Sequence, residues 1–251
     1  MLHIQFHAAV AEIRMDRPPA NALNPELVSQ LLAALESVRM DGAHAIILTG
    51  RPGMFSGGLD VPELLGLDRR HIESFWGLLF NLTRQLAGSP VPVIAAVSGH
   101  APAGGAVLAL HCDWRIGVAG RFKIGLNEVQ VGLPVPSTIL VALEEVVGPR
   151  VARRMATRGE LLSMDAAATA GLLDELVDPD QLLPAALARA NEFLALPPVA
   201  MNTTRLAAKA RLIQALGSSG DVAAATASWF SAETQAEMRK LVARLQKTPA
   251  G

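Results

Sequence analysis

The sequence holds a single cysteine, Cys112, among 251 residues. No disulfide framework can form within such a chain, and Cys112 reads as a small buried hydrophobe. No basic run stands out and the formal net charge is −1, which excludes the electrostatic footprint of a nucleic-acid surface. No apolar run reaches the length of a membrane-spanning helix. No charged segment followed by an apolar one precedes the first strand-like run. The expectation is a soluble, cytoplasmic, bacterial protein with no membrane partner. Neither GxGxxG nor GKS/GKT occurs near the glycine-rich turns, which argues against a phosphate loop. The six histidines form no spaced set with carboxylates, so no metal site is expected. There is no low-complexity segment and no short-period repeat.

What is present is apolar: 51% of the residues are hydrophobic and 18% charged, enough to bury a sizeable core in one domain, or in one domain with an appendage. Leu2, Ile4 and Phe6 alternate with polar residues as in a half-buried strand, and a second strand covers residues 10–15. Asn24 before Pro25 marks a helix start, with Leu27, Leu31, Ala34, Leu35 and Val38 on one face. Buried strands are expected at 45–49, 93–97 and 114–118, and a short one at Leu176 and Val177. Helices are expected at 61–67, 71–87, 104–111, 137–147, 150–158, from Asp165 as cap to Gly171, and from Pro179 to 196. Phe75, Trp76, Leu79 and Phe80 have the spacing of a helix facing the core. Pro197-Pro198 is a boundary between a body (1–197) and a helical region (198–251). Beyond it lie two amphipathic helices, 199–216 and 222–246, split at Gly217-Ser218-Ser219-Gly220. Strand, glycine-rich turn and helix recur at 45–65 and 93–110.

Two of those turns carry the chemistry. Phe55-Ser56-Gly57-Gly58-Leu59-Asp60 follows the 45–49 strand. Pro102-Ala103-Gly104-Gly105 follows the 93–97 strand and opens an apolar helix. Backbone N–H groups at a helix start are unpaired, glycine lets a substrate approach them closely, and donors fixed beforehand stabilise an oxyanion. Gly104 meets this need at the second turn, and Leu59 or a neighbouring glycine at the first. One acid, Glu128, lies in an apolar stretch (Gly125-Leu126-Asn127-Glu128-Val129-Gln130-Val131-Gly132), a setting that raises a carboxyl pKa toward neutrality. Asp60 reads mainly as a helix cap and Asp113 as structural. His100 reads as a packed or solvent-facing residue, and Trp229 and Phe230 as lining an interface or the far end of an apolar tunnel.

RPPANALN (17–24), FSGGLD (55–60), PAGG (102–105), CDWRI (112–116) and GLNEVQVGL (125–133) occur in an order and spacing that resemble the enoyl-CoA hydratase/isomerase, or crotonase, superfamily. Within it, FSGGLD, PAGG and GLNEVQVGL are most similar to the mitochondrial-type Δ3,Δ2-enoyl-CoA isomerases. The resemblance implies an α/β fold, a spiral of repeated ββα units with a C-terminal helical trimerisation region. It implies an acyl-CoA thioester as substrate, coenzyme A entering only as part of it, and no other cofactor. It assigns Leu59 and Gly104 as the two oxyanion donors and Glu128 as catalytic acid/base. Ser56, Gly57, Gly58, Leu59 and Asp60 would line the thioester arm, with Gly104 and Asn127 near the substrate and residues 18–24 beside the adenine. Hydratases of this superfamily carry a second glutamate three residues beyond the donor glycine, and here that position is Val107. The implied activity is therefore 3-enoyl-CoA to 2-enoyl-CoA isomerisation in fatty-acid β-oxidation. Hydration, thioester hydrolysis, decarboxylation and a non-catalytic CoA-ester binding subunit are the alternatives. The implied assembly is a homotrimer or a dimer of trimers, with the tail helices near a neighbouring subunit's CoA site.

Overall fold

The computed structural model describes residues 1–217 and 220–247. The chain opens with strands β1 (Leu2–His7) and β2 (Val10–Met15), then helix α1 (Pro25–Met40). Asn24 caps α1 by accepting from the Leu27 amide, as the Asn-Pro pair predicts. Next come β3 (Ala45–Thr49), β4 (Gly53–Met54), α2 (Val61–Leu64), α3 (Arg69–Ala87), β5 (Val93–Val97), β6 (Gly99–Pro102) and α4 (Gly104–Leu110). After β7 (Trp114–Val118), β8 (Lys123–Gly125) and a 3-10 turn at Glu128–Val131 lies α5 (Ser137–Arg158), kinked at Gly148 before Pro149. The body closes with β9 (Leu162–Ser163), α6 (Met164–Thr169), β10 (Glu175–Val177) and α7 (Leu182–Leu194).

The strands form two sheets. The larger runs β1-β2-β3-β5-β7-β10 and the smaller β4-β6-β8-β9. β3, β5 and β7 lie parallel in the large sheet, and each hands the chain to its successor, β4, β6 or β8, in the small one. This alternation is the ββα repeat. The sequence reads only strand, turn and helix, because the small-sheet strands are two to four residues long. Gly, His, Pro and Lys in such short runs carry no alternating pattern, and their pairing is made by backbone alone.

One face of the large sheet packs on α1, α3 and α4 in the main core, and α7 covers the other with Leu182, Ala186 and Ala190. β1 departs from expectation: Ile4 is 46% and Phe6 41% exposed, because β1 is the edge strand of the sheet. The N-cap of α6 is Ser163, which accepts from the Ala166 amide, and Asp165 sits inside the first turn.

Among the described residues the tail has four helices where two are expected: α8 (Pro198–Ala208), α9 (Ala210–Leu216), α10 (Gly220–Trp229) and α11 (Ala232–Lys247). Lys209 interrupts the first pair. Ser231 interrupts the second, its Oγ accepting from the Thr234 amide at 3.1 Å in a serine cap that starts a new helix. Ser218 and Ser219 of the expected break, and residues 248–251, lie outside the described residues. Leu212, Leu216, Trp229 and Met238 join the main core. α8 is fastened by Asp113: its carboxylate takes the Val93 amide at 2.8 Å and pairs with Arg205 at 3.0 Å and Lys209 at 2.6 Å. Asp113 is thus structural, as read.

Candidate active site

The first turn spends its amides almost completely. The N–H groups of Phe55 and Ser56 go to the His100 carbonyl, that of Gly57 to Ala20, and those of Asp60 and Val61 to Leu23 and Leu59. Gly58 N–H reaches Ser56 Oγ at 3.3 Å. Leu23 N–H donates to the Gly58 carbonyl at 2.7 Å, so the segment is clamped as a one-pair parallel bridge, Leu23 with Leu59. In a parallel bridge one residue bonds the partner segment through both its amide and its carbonyl, here Leu23 to Gly58 and Asp60, and the other, Leu59, turns both groups away. Leu59 N–H is accordingly left with no acceptor among the described residues.

The second turn reaches the same condition by strain. Ala103 has φ 46° and ψ −116°, a conformation that costs a non-glycine residue about 1–3 kcal/mol and is typical of functional sites. Its amide donates to the Gly125 carbonyl at 2.8 Å. Gly104 then opens α4 with its N–H unpaired. The two turns are in contact: a Cβ on Gly104 would lie 2.8 Å from Leu23 Cδ1 and 3.2 Å from Gly58 Cα, and a Cβ on Gly58 would lie 3.3 Å from Gly104 N. Only glycine at both positions lets the Leu59 and Gly104 amides share one corner.

Glu128 begins the 3-10 turn after β8, closed by Gly132 with φ 71°. α11 braces this turn from outside, Thr234 Oγ1 donating to the Gly132 carbonyl at 2.5 Å. Gln130 ties it to the end of α5 through the Gly159 carbonyl at 2.8 Å. The Glu128 side chain is buried, and its Oε2 has no hydrogen-bond partner among the described residues. Removal from water disfavours the carboxylate and lifts its pKa to about 7. Asn127 Oδ1 beside it is also buried and unpartnered.

Leu59, Gly104 and Glu128 line one cavity of about 290 Å³. Gly57 and Asn127 line it too, as does Val107, one helical turn along from Gly104. The rest of the wall is apolar. Trp76, Leu79 and Phe80 come from α3, and Met238, Leu241 and Leu245 from α11. Glu128 is the sole ionisable side chain among the lining residues.

Three of the expected substrate contacts lie behind the wall. Ser56 is fully buried and donates to the Asn21 carbonyl at 2.8 Å. Gly58 is the contact point of the two turns. Asp60 caps α2 through the Glu63 amide at 3.1 Å and pairs with Arg17 at 2.7 Å. Their work is to hold the turn, because its backbone could not otherwise present Leu59. In the 18–24 stretch, Pro18 and Pro19 are exposed, while Asn21 is pinned by bonds to the Met15, Met54 and Phe55 carbonyls. The α3 wall was read as core, since a helical stripe of large apolar residues looks the same whether it faces side chains or a cavity. Trp229 packs behind Trp76, and Arg69 lies over Phe230. From the tail, α11 adds one wall to the cavity of its own chain. His100 packs edge-on to Phe122 and lies off the cavity. Cys112 is buried with its thiol pushed up to about 12, too high for a nucleophile. Among the described residues no cluster of His, Cys, Asp or Glu could hold a metal ion, and no helix is long and apolar enough to cross a membrane.

A family model described as enoyl-CoA hydratase/isomerase matches residues 5–244. Enoyl-CoA delta isomerase 1, mitochondrial, of Homo sapiens is 35% identical over 201 residues, which span 79% of this chain and 67% of the relative. A probable enoyl-CoA hydratase of Mycobacterium avium is 35% identical over 188 residues, 74% of this chain and 73% of that one. The crystal structure of human mitochondrial Δ3-Δ2-enoyl-CoA isomerase superposes with a TM-score of 0.95 at 30% identity, covering 99% of both chains. That likeness bears out the crotonase-like α/β spiral expected from the motifs.

Proposed function

Since this chain belongs to the enoyl-CoA hydratase/isomerase family, we propose that it is a Δ3,Δ2-enoyl-CoA isomerase of fatty-acid β-oxidation. The observation that carries the choice is the single ionisable group on the cavity wall, Glu128, with Val107 where a second acid would stand. Adding water across a double bond requires one group to activate the water and another to protonate carbon, and a valine does neither. Moving a double bond requires only one group that takes a proton and gives it back.

In this reading the thioester oxygen accepts from the amides of Leu59 and Gly104. The carboxylate of Glu128 removes a proton from C2. The C–H electrons enter the π system, giving a dienolate whose negative charge rests on the oxygen between the two donors. Glu128, now protonated, returns the proton to C4, and the double bond settles between C2 and C3. No atom is gained or lost. A pKa of about 7 suits a group that must be base and acid in one turnover. Coenzyme A takes part as a portion of the substrate, and the cycle calls for no further cofactor.

Glu128→Gln should retain CoA-ester binding and lose turnover of 3-enoyl-CoA by about 10²–10⁴-fold. In the wild type, kcat/KM should rise from pH 6 to 8 and level off as Glu128 ionises near 7. Near-normal turnover by the glutamine variant sinks the assignment. Fast hydration of a 2-enoyl-CoA in a parallel assay would overturn the reading of Val107 and favour the hydratase alternative. A thioesterase would release free CoA in that assay, a decarboxylase would release carbon dioxide only from a carboxyacyl-CoA offered beside it, and a pure binding subunit would turn over nothing. We further propose a homotrimer or a dimer of trimers, acting in the cytoplasm.

A further inference from the structure

The cavity has a mouth and a blind end. Leu245 on its rim is 56% exposed, whereas Trp76 is 3% and Ile139 2% exposed. The mouth therefore opens beside α11, and the closed end lies against α3 and α5. At that end Trp76 is held by other rings. It stacks on Phe80 with centroids 5.8 Å apart and stands edge-on to Trp229 at 6.3 Å. Trp229 is itself 1% exposed, so the indole of Trp76 has no room to retreat in a close-packed interior.

Neither indole N–H has a hydrogen-bond partner among the described residues. A buried donor without an acceptor is destabilising, and phenylalanine or leucine at position 76 would avoid that cost. What tryptophan supplies here is bulk at the end of an apolar channel.

We propose that Trp76, backed by Trp229, is the stop that sets the longest straight acyl chain the site accepts. The inference rests on the acyl-CoA reading above and sets an upper limit on the acyl length of its substrates. The cavity of about 290 Å³ also holds the oxyanion corner and Glu128, so the acyl chain has only the apolar part beyond them, and that part ends on the indole. Longer chains meet the indole.

The test is isothermal titration with a series of saturated acyl-CoAs of increasing length, on the wild type, Trp76→Phe and Trp76→Ala. Each methylene that finds apolar wall should tighten binding about fourfold. In the wild type this gain should stop at one chain length, where the chain reaches the indole. In both variants short chains should keep the wild-type slope, and the break should move to longer chains, further for alanine than for phenylalanine. Trp76→Phe keeps a ring on Phe80 and removes the unpaired donor, so it folds and decides the matter if the alanine variant does not. A break that stays in place, or an equal loss of affinity at every length, overturns the stop and leaves Trp76 a packing residue. Saturated thioesters cannot be isomerised, so a displaced break supports the inference even if the isomerase assignment fails. Absence of binding by any acyl-CoA overturns both.

Discussion

Glu128 and His111 are both buried, and burial moves their proton affinities in opposite directions. Desolvation lifts Glu128 from 4.5 to about 7 and lowers His111 from 6.5 to about 4. His111 Nδ1 lies 2.7 Å from the Val107 carbonyl and acts as the donor there, while Nε2 has no partner among the described residues to meet a second proton. Between pH 4.5 and 7 the folded chain keeps a proton on Glu128 that the unfolded chain has lost, so this group's contribution to stability falls as pH rises. Between pH 4 and 6.5 the unfolded chain takes a proton on His111 that the folded chain refuses, so this contribution rises with pH. The two trends nearly offset one another in the wild type. Glu128→Gln should expose the histidine trend, gaining stability as pH rises from 4 to 6.5. Above pH 7 it should exceed the wild type by on the order of 3 kcal/mol. Urea unfolding across that range checks both, and a glutamine variant no more stable than wild type at alkaline pH contradicts burial as the cause of the shift.

The two glycine turns work only as a pair. A methyl on Gly104 would press on Leu23 Cδ1 at 2.8 Å and on Gly58 Cα at 3.2 Å, and relief would spread the turns and misplace both amides. Gly104→Ala should therefore lower kcat on 3-enoyl-CoA by about 10²–10³-fold at a stability cost of about 1–3 kcal/mol. Steady-state kinetics beside a denaturation curve would measure the two, and unchanged kcat would remove Gly104 from the oxyanion corner. These turns were legible in the sequence because a backbone donor beside a substrate demands small residues, and Glu128 because a lone acid in an apolar run is rare. β3, β5 and β7 were legible as buried aliphatic runs. The small sheet was not, since its register is written in backbone pairing that side chains do not encode. Nor was the α3 wall, where Trp76 and Leu79 satisfy a helix-to-core pattern and a helix-to-cavity pattern equally. Sequence carries no record of which surface an amphipathic helix covers, and so the wall that α11 adds to the cavity appears only in three dimensions.

At the scale of the molecule, body and tail are one folding unit. Cutting the chain after Pro198 would remove Arg205 and Lys209 from Asp113, whose carboxylate is 3% exposed in the intact chain. The cut would thus undo the ion-pair cluster that fastens α8 to the body. The cut would also remove Trp229 and Met238 from the main core and strip one wall of the active cavity. The full chain should scatter light as a trimer or hexamer, while the truncated chain should lack a cooperative unfolding transition and bind no CoA ester. A folded, active truncation product would show that the tail is dispensable.

Trp76 also gives the protein an optical signature. The chain has three tryptophans and no tyrosine, so its near-ultraviolet emission comes from indole alone. Trp114 is occupied elsewhere, its Nε1 donating to Glu175 at 2.6 Å and its ring lying 4.5 Å from the Arg189 guanidinium. Trp76 and Trp229 are close enough to exchange excitation and share one environment. When an acyl chain slides against the Trp76 face, that pair should change its emission maximum and intensity while Trp114 stays silent. The change should vanish in Trp76→Phe and persist in Trp114→Phe, so that the arrival of each substrate can be followed in real time without a label.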